Sequence, residues 1–271
     1  MKKVCLGTVI LAGILAACSS DPRRLLAQAE ARWREGKYED AIRLNTLVYN
    51  RERGGVDGAT ALLNIGNIYY LNLRRLKDAI DTYNKLVDEY RGSREERKAR
   101  EQLAAIYANE IGDLTQAISE YDRILELPGL QNRQEIEFLR AKAHFQNGEY
   151  NVALQGLRHL EEEGVAGHLA HQVSLKIGNI YQIQKKYEQA VSCFQRVMDS
   201  PCIDCRRRAH LYLMETYEAL FDFERAIAVI RSLDASPENR PVIAREIARL
   251  NERQSEVEAG RMPRPPEGRR R

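Results

Sequence analysis

Long apolar runs are scarce in this chain of 271 residues. The run Val4 to Ala17 is apolar or small throughout, but it contains only 14 residues, whereas a membrane-spanning helix needs roughly 20. Lys2 and Lys3 precede it with positive charge. Because a positive start and a short apolar core are typical of an export signal, we predict that residues 1–17 are a cleaved signal peptide.

The chain also lacks the motifs on which common enzyme classes depend. No glycine-rich phosphate loop and no nucleophile elbow occurs, and no pair of carboxylates stands apart from the general charge of the helix surfaces. His168 and His171 share a helical face, but no acidic residue at a matching distance in that helix completes a metal site. We therefore predict a protein that is not an enzyme and that needs no cofactor, metal or small-molecule substrate.

A basic body is missing as well. The formal charge of +3 comes from the two ends, from Lys2 and Lys3 in the signal and from a net +4 in the tail 259–271, which has five arginines and Glu267. Without them the body carries about −3, so we expect no nucleic-acid partner. The Arg- and Pro-rich tail cannot form a core and is predicted to be disordered. Hydrophobic residues make up 44% of the chain, which predicts a globular body between these ends.

The main positive feature is an internal repeat. The pentapeptide IGNIY occurs at 65–69 and again at 177–181. Alanines that follow a turn and precede an aliphatic residue recur at positions 41, 79, 117, 153, 190 and 226. Apolar residues recur at helical spacing and proline is almost absent before Pro201, which predicts helices throughout. Glycine inside a helix costs about 1 kcal/mol against alanine, so we infer that Gly66 and Gly178 admit a closely packed second helix.

This pattern resembles the tetratricopeptide repeat (TPR) family over residues 22 to 236. The shared features are small and aromatic residues in a first helix, a turn with glycine, and an aromatic residue before an alanine–aliphatic pair. The third and sixth units depart from it, because they have no glycine in the first helix. The resemblance implies an all-α fold, a right-handed solenoid of six helix-turn-helix repeats over residues 18–236 with a capping helix at 237–258.

The end of the signal resembles the lipobox of bacterial lipoproteins, because Leu15, Ala16 and Ala17 precede Cys18. The resemblance implies cleavage before Cys18 and acylation of that cysteine. Ser19 follows where an aspartate would favour retention at the inner membrane, so we expect a lipid anchor in the outer membrane that faces the periplasm. The alternative is an ordinary secretory signal with a chance cysteine.

The TPR resemblance also implies a partner-binding groove, since the first helices of this family line a concave face that holds partner peptides. Asparagine amides can donate to and accept from a peptide backbone, and aromatic side chains add apolar contact area. The alternative is that these side chains pack against the next repeat or face solvent. The implied groove residues are Trp33, Arg34, Leu63, Asn67, Tyr70, Phe138, Lys142, Phe145, Leu175, Asn179 and Gln182.

Cys202 and Cys205 form a CxxC pair in the predicted loop between the fifth and sixth units, directly before three arginines. In an exported protein we expect a local disulfide. A zinc site that also recruits Cys193 or His210 is an alternative, although one CxxC pair is a weak metal signal. A reactive redox pair is another, because a helix start and nearby arginines both lower a thiol pKa.

Lipoproteins of this architecture include the pilotins, which help to assemble the secretin of type IV pili, and subunits of the outer-membrane barrel-insertion machine. We therefore predict a membrane-anchored periplasmic scaffold that binds envelope proteins and assists assembly of an outer-membrane complex. The prediction leans to type IV pilus secretin assembly and motility. The barrel-assembly machinery is the alternative, and a CxxC thiol-redox or metal-binding protein is an alternative of a different class.

Overall fold

The computed structural model describes residues 21–233 and 240–261, and in this part the chain contains α-helices and no strands. Twelve helices form six antiparallel pairs, and a thirteenth follows them. The predicted all-α fold of six helix-turn-helix units is therefore confirmed. The helices are α1 Pro22–Arg34, α2 Tyr38–Arg51, α3 Val56–Asn67, α4 Leu76–Glu89, α5 Arg94–Ile106, α6 Leu114–Glu126, α7 Arg133–Gln146, α8 Tyr150–Glu162, α9 Gly167–Ile183, α10 Tyr187–Gln195, α11 Ile203–Ala219, α12 Phe223–Arg231 and α13 Arg240–Glu258.

The helices form two compact units, with the division between Gln131 and Asn132. The first unit contains α1 to α6, and its core includes the fully buried Tyr83 and Leu103. The second contains α7 to α13, with a separate core that includes the fully buried Phe194. The predicted domain limits depend in part on residues outside the described ones, so they stay predictions.

Each pair turns at a residue in the left-handed region. Glycine takes this place in three turns, where its missing Cβ removes the steric cost. The other three turns use larger residues at the same place, which explains why glycine alone does not mark every turn in the sequence. The six residues, with φ between 54° and 80°, are Gly36, Arg74, Gly112, Gly148, Lys185 and Phe221.

Two first helices end in a π-helical segment. Residues Ile68–Asn72 extend α3, and Tyr107–Ile111 extend α5. A π-helical turn accommodates an extra residue without breaking the helix. The alanines at 41, 79 and 117 are 38 residues apart, whereas the later ones are 36 or 37 apart. The longer spacing therefore belongs to the two units that contain a π-helical segment.

Gly66 and Gly178 bring the two helices of a pair into contact. A Cβ on Gly66 would lie 2.7 Å from Cδ1 of Tyr83 in α4. A Cβ on Gly178 would lie 2.7 Å from Cζ of Phe194 in α10. Real Cβ atoms do not approach ring atoms this closely, so only glycine lets the ring rest on the first helix. The predicted role of these two glycines in close helix packing is confirmed.

The last helix, α13, closes the second unit. Leu250 is fully buried, and Nη1 and Nη2 of Arg249 each donate to a carboxylate oxygen of Glu218 in α11 at 2.7 Å. These hydrogen bonds hold the pKa of Glu218 below its usual value. A paired, planar contact of this kind is stronger than a single exposed ion pair, so it fixes where α13 lies on the unit.

We expect Gly66→Ala and Gly178→Ala each to lower the free energy of unfolding by about 1–3 kcal/mol, because the new methyl group overpacks the ring contact. Gly156→Ala is the matched control. A Cβ there would lie 3.5 Å from Cβ of Ala141, an ordinary contact, so that variant should gain up to about 1 kcal/mol from helix propensity. Urea unfolding measures all three, and equal losses at the three sites would contradict the packing argument.

Candidate partner-binding faces

The first helices of each unit form the face on which the sequence placed the groove. In the first unit, α1 and α3 border an open cavity of about 750 Å³. Two of the predicted groove residues, Trp33 and Arg34, line it. The remaining lining residues were not predicted from the sequence. They are Arg23, Leu26, Ala27, Glu30, Tyr38, Thr60, Asn64 and Asn72.

A hydrogen-bonded chain fixes the wall of this cavity. Nε1 of Trp33 donates to Oδ1 of Asn72 at 2.8 Å, and Nδ2 of Asn72 lies 3.4 Å from the hydroxyl of Tyr38. The indole is therefore held in place, with part of its surface open to solvent. Arg34 is exposed and pairs with Glu30 of its own helix. Trp33 thus supplies a fixed apolar surface, and Arg34 supplies an exposed charge beside it.

Three predicted groove residues are wrong. Leu63, Phe138 and Leu175 are buried within the hydrophobic cores, with exposures of 6%, 7% and 5%. Each lies on the side of its first helix that packs against neighbouring helices, so its side chain is not available to a partner. The sequence placed them on the groove because they neighbour polar candidates along the helix, and spacing alone does not distinguish the two sides of a helix that is buried on more than one face.

Asn67 and Asn179 occupy the same place in the two IGNIY segments but differ in their contacts. The hydroxyl of Tyr83 donates to Oδ1 of Asn67 at 2.8 Å. In the second segment the corresponding ring belongs to Phe194, which has no hydroxyl. Oδ1 of Asn179 is buried, and no described residue donates a hydrogen bond to it. The first asparagine is therefore satisfied within the fold, and the second retains unused hydrogen-bonding capacity.

Tyr70, also predicted for the groove, lies in the π-helical end of α3. Its hydroxyl is 3.4 Å from Oε1 of Glu110, and Arg74 donates to the other carboxylate oxygen at 3.0 Å. Burial, and then the nearby Glu110 carboxylate, raise the pKa of Tyr70. These contacts link the two π-helical segments of the first unit, so the side chain is part of the structure there.

The second unit brings cations together on its first-helix face. Lys142 of α7 and Arg208 of α11 lie near Lys176 of α9, and the three are here named the basic cluster. Burial lowers the pKa of Lys176, and the charges of Lys142 and Arg208 lower it further. Nζ of Lys176 lies 4.4 Å from the ring centre of Phe145. Within the described part of the chain, no carboxylate pairs with any member of the cluster.

Two further predicted residues, Phe145 and Gln182, lie in α7 and α9. Phe145 provides the ring under Lys176 and packs edge-on against Tyr150, with ring centres 5.6 Å apart. Nε2 of Gln182 donates to Oγ1 of Thr216 at 2.7 Å and to the carbonyl oxygen of Tyr212 at 3.1 Å. Gln182 therefore ties α9 to α11. Lys142 and Phe145 both lie near Lys176, and their predicted role in partner binding stays a prediction. Lys176 and Arg208 were not predicted.

Cys202 and Cys205 are joined by a disulfide at the start of α11, with Cα atoms 5.3 Å apart. Nδ1 of His168 lies 3.4 Å from Sγ of Cys205. The three ligand atoms lie within 4.8 Å of one another, but thiolates and not disulfide sulfurs bind metals, so the oxidised pair is not a metal site. Cys193, considered as a further ligand, is buried and burial raises its pKa.

Another close group of potential metal ligands comprises Glu137, His159 and Glu163. Glu137 already pairs with Arg133 at 3.0 Å, and the other two are exposed.

No described helix is long and apolar enough to cross a membrane. Cys18 lies outside the described residues, so its predicted acylation stays a prediction.

The contrast between Tyr83 and Phe194 allows a direct test of whether Oδ1 of Asn179 lacks a hydrogen-bond donor. We expect Phe194→Tyr to raise the free energy of unfolding by about 0.5–1.5 kcal/mol, because the new hydroxyl can donate to Asn179 as Tyr83 does to Asn67. Tyr83→Phe should cost about 1–2 kcal/mol, since it leaves Asn67 without a donor. Thermal and urea unfolding measure both. A loss of stability in Phe194→Tyr would contradict the idea that this oxygen is unsatisfied.

Comparison with known proteins identifies the repeat. Models of the tetratricopeptide repeat match residues 26–94 and 171–200. No protein of curated function is significantly similar in sequence. A tetratricopeptide repeat protein from Parabacteroides merdae has a similar structure, with a TM-score of 0.62, 17% identity, and coverage of 88% of this chain and 89% of that chain.

Two other solved structures are similar at low identity. PilW, a type IV pilus biogenesis factor, has a TM-score of 0.57 at 11% identity, with 83% of this chain and all of that chain covered. YrrB, a TPR protein with an unusual peptide-binding site, has a TM-score of 0.54 at 18% identity, with 73% and 96% covered. This chain thus contains tetratricopeptide repeats and has the all-α fold of TPR proteins, an architecture suited to protein–protein interaction.

Proposed function

We propose that this protein is a membrane-anchored envelope scaffold that binds an acidic segment of a partner protein through the first-helix face of its second unit. By holding that partner it assists the assembly of an outer-membrane complex. The observation that carries the proposal is the basic cluster, in which Lys142, Lys176 and Arg208 come from three successive first helices and have no acidic partner among the described residues.

The electrostatics of the cluster favour an anionic ligand. A partly buried ammonium group costs free energy unless a charge or hydrogen-bond acceptor compensates it. Lys176 instead has two further cations as neighbours, and its pKa is lowered by burial and by both of them. A carboxylate placed between the three groups would form charge-assisted hydrogen bonds and would relieve their mutual repulsion. Burial of Lys176 and repulsion between the three cations therefore lower the stability of the free protein, and an acidic partner would offset this loss.

The surroundings of the cluster favour a peptide as the source of that carboxylate. The ring of Phe145 lies against Lys176 and offers apolar contact. Asn179 lies one turn further along α9, and its amide can pair with a peptide backbone after a small rotation that exposes the unused oxygen. The peptide-binding site of the structurally similar YrrB supports this mode of recognition.

The choice of an envelope complex depends on two further arguments. The predicted signal and lipobox at residues 1–18 support export and anchoring through Cys18 in the outer membrane, facing the periplasm. The structural similarity to PilW, a type IV pilus biogenesis factor, supports secretin assembly and motility as the process. The partner would then be a secretin or another outer-membrane assembly component with an acidic segment.

Removing two charges of the basic cluster should weaken partner binding without lowering the stability of the protein. We expect Lys142→Met with Lys176→Met to weaken binding of a fluorescein-labelled decapeptide of glutamate by at least about tenfold, through loss of two charge-assisted contacts. Stability at neutral pH should be unchanged or higher. The lowered pKa of Lys176 means that its charge costs stability below that pKa, and the cost disappears only as pH rises to the ordinary value of 10.5.

Arg231→Met with Arg245→Met is the matched control, because it removes two exposed positive charges from the same unit outside the cluster. Fluorescence anisotropy measures binding of the decapeptide to each variant at two salt concentrations. It distinguishes contacts with the basic cluster from general attraction to the positive charge of the protein. The proposal is wrong if the control variant weakens binding of the labelled decapeptide as much as the cluster variant does. Capture of the intact protein from gently solubilised membranes, with the same two variants, then tests whether a secretin is lost selectively.

The anchor has its own test. Cys18→Ala removes the acylated side chain, so we expect the variant to leave the outer-membrane fraction and to appear as free protein, since no described helix is long and apolar enough to hold the chain in a membrane. Membrane fractionation with metabolic labelling by a palmitate analogue measures this. Recovery of the variant in the outer-membrane fraction at the wild-type level would show that the anchor is not at Cys18.

A further inference from the structure

We propose that the Cys202–Cys205 disulfide is redox-active and exchanges with dithiols, with His168 as proton donor to the leaving sulfur. The proposal is independent of the basic cluster. It concerns a site at the start of α11, formed by the disulfide and by two residues of α9, His168 and Gln172.

The two sulfurs differ in access and surroundings. Cys202 is half-buried and occupies the N-cap of α11, whereas Cys205 is only 3% exposed. The amide N–H of Cys205 donates to Sγ of Cys202 at 3.1 Å. A thiolate on Cys202 would therefore be stabilised by this hydrogen bond and by the positive end of a helix of 17 residues. Cys202 is the sulfur that an incoming thiolate can reach, and Cys205 is the one that leaves.

His168 is positioned to serve the leaving sulfur. Nε2 of Gln172 lies 2.7 Å from Nε2 of His168, and in this orientation the amide donates to that ring nitrogen. Nδ1 of His168 lies 3.4 Å from Sγ of Cys205, so when the exposed ring takes a second proton from solvent, the Nδ1 proton of the imidazolium faces the leaving sulfur. The Gln172 amide then turns over, so that its oxygen accepts from Nε2. The exposed position of His168 allows the ring to regain a proton from solvent after each exchange.

The exchange balances with a dithiol as the reductant. One thiolate of the dithiol attacks Sγ of Cys202, and the Cys202–Cys205 bond breaks as a mixed disulfide forms. The electron pair of the broken bond goes to Sγ of Cys205, which takes the Nδ1 proton of the His168 imidazolium and leaves the ring neutral. The second thiolate of the dithiol then attacks the dithiol sulfur of the mixed disulfide and releases Cys202 as a thiolate, which takes a proton from solvent. The dithiol is oxidised to a disulfide, and the protein is reduced to two thiols.

A purely structural role explains this disulfide poorly. Cross-links stabilise a fold mainly by restricting the unfolded chain, and the effect grows with the length of the closed loop. Cys202 and Cys205 are three residues apart, and the first turn of α11 already holds them together through the hydrogen bond to the N-cap sulfur. The cross-link therefore adds little restriction that the helix does not already impose.

The rate of reduction by dithiothreitol tests the proposal in the full-length chain. Both cysteines lie on one tryptic peptide, residues 197–206, so differential alkylation and mass spectrometry follow this disulfide alone. We expect complete reduction within minutes at neutral pH. His168→Gln should slow it by about tenfold or more, the usual size of a general-acid effect being 10²–10⁴. His171→Gln is the matched control, because that ring contacts Oγ of Ser200 at 3.0 Å and not a sulfur.

Single-cysteine variants test which sulfur reacts. In Cys205→Ser the remaining Cys202 should react with iodoacetamide at least about tenfold faster than Cys205 does in Cys202→Ser, because thiolate character and access both favour Cys202. Circular dichroism confirms that the compared variants are folded. Resistance of the disulfide to millimolar dithiothreitol over hours, or equal rates in wild type and His168→Gln, would show a structural cross-link and overturn the proposal.

Discussion

The close contact between a glycine of the first helix and an aromatic ring of the second is the constraint on which each well-formed pair depends. Tyr83 rests on Gly66, and Phe194 rests on Gly178, where no Cβ could be accommodated. Asn67, which follows Gly66, accepts a hydrogen bond from the hydroxyl of the same ring, whereas Phe194 has no hydroxyl to offer to Asn179, which follows Gly178. Whether that ring carries a hydroxyl then decides whether the amide oxygen of the asparagine is satisfied. The glycine–ring contact thus fixes the geometry of the pair, and the identity of the ring decides whether this one amide oxygen has a donor.

Much of the fold could be predicted from the sequence because the determinants of a helix pair are local and repeat. The alanine spacing, the turn residues and the two IGNIY segments all report the same unit. The π-helical segments and the left-handed Arg74, Lys185 and Phe221 could not be predicted, because ordinary helix-forming and turn residues carry no distinct signal for them. In the sequence, the π-helical insertions correspond to the longer spacing of 38 residues between the alanines at 41, 79 and 117.

The candidate site was harder to predict, because it depends on how successive first helices lie against one another. Lys142 and Phe145 were found from their place in the repeat. Lys176 and Arg208 were not, since they follow no family motif and become significant only as neighbours in space. Leu63 and Leu175 were misassigned for the related reason that a first helix packs on more than one side. In the second unit, the cations of the basic cluster have no acidic partner and Oδ1 of Asn179 has no donor among the described residues.

The central claim is that the basic cluster of the second unit is an anion site maintained at a cost to stability. The pKa of the Lys176 ammonium, followed by NMR in protein with ¹³C-labelled lysine, tests it most directly. Without a ligand the account predicts a pKa below the ordinary 10.5, and a rise when the glutamate decapeptide saturates the site, because a carboxylate replaces repulsion with attraction. An ordinary pKa in the free protein, or a pKa that does not change at saturation, would contradict it.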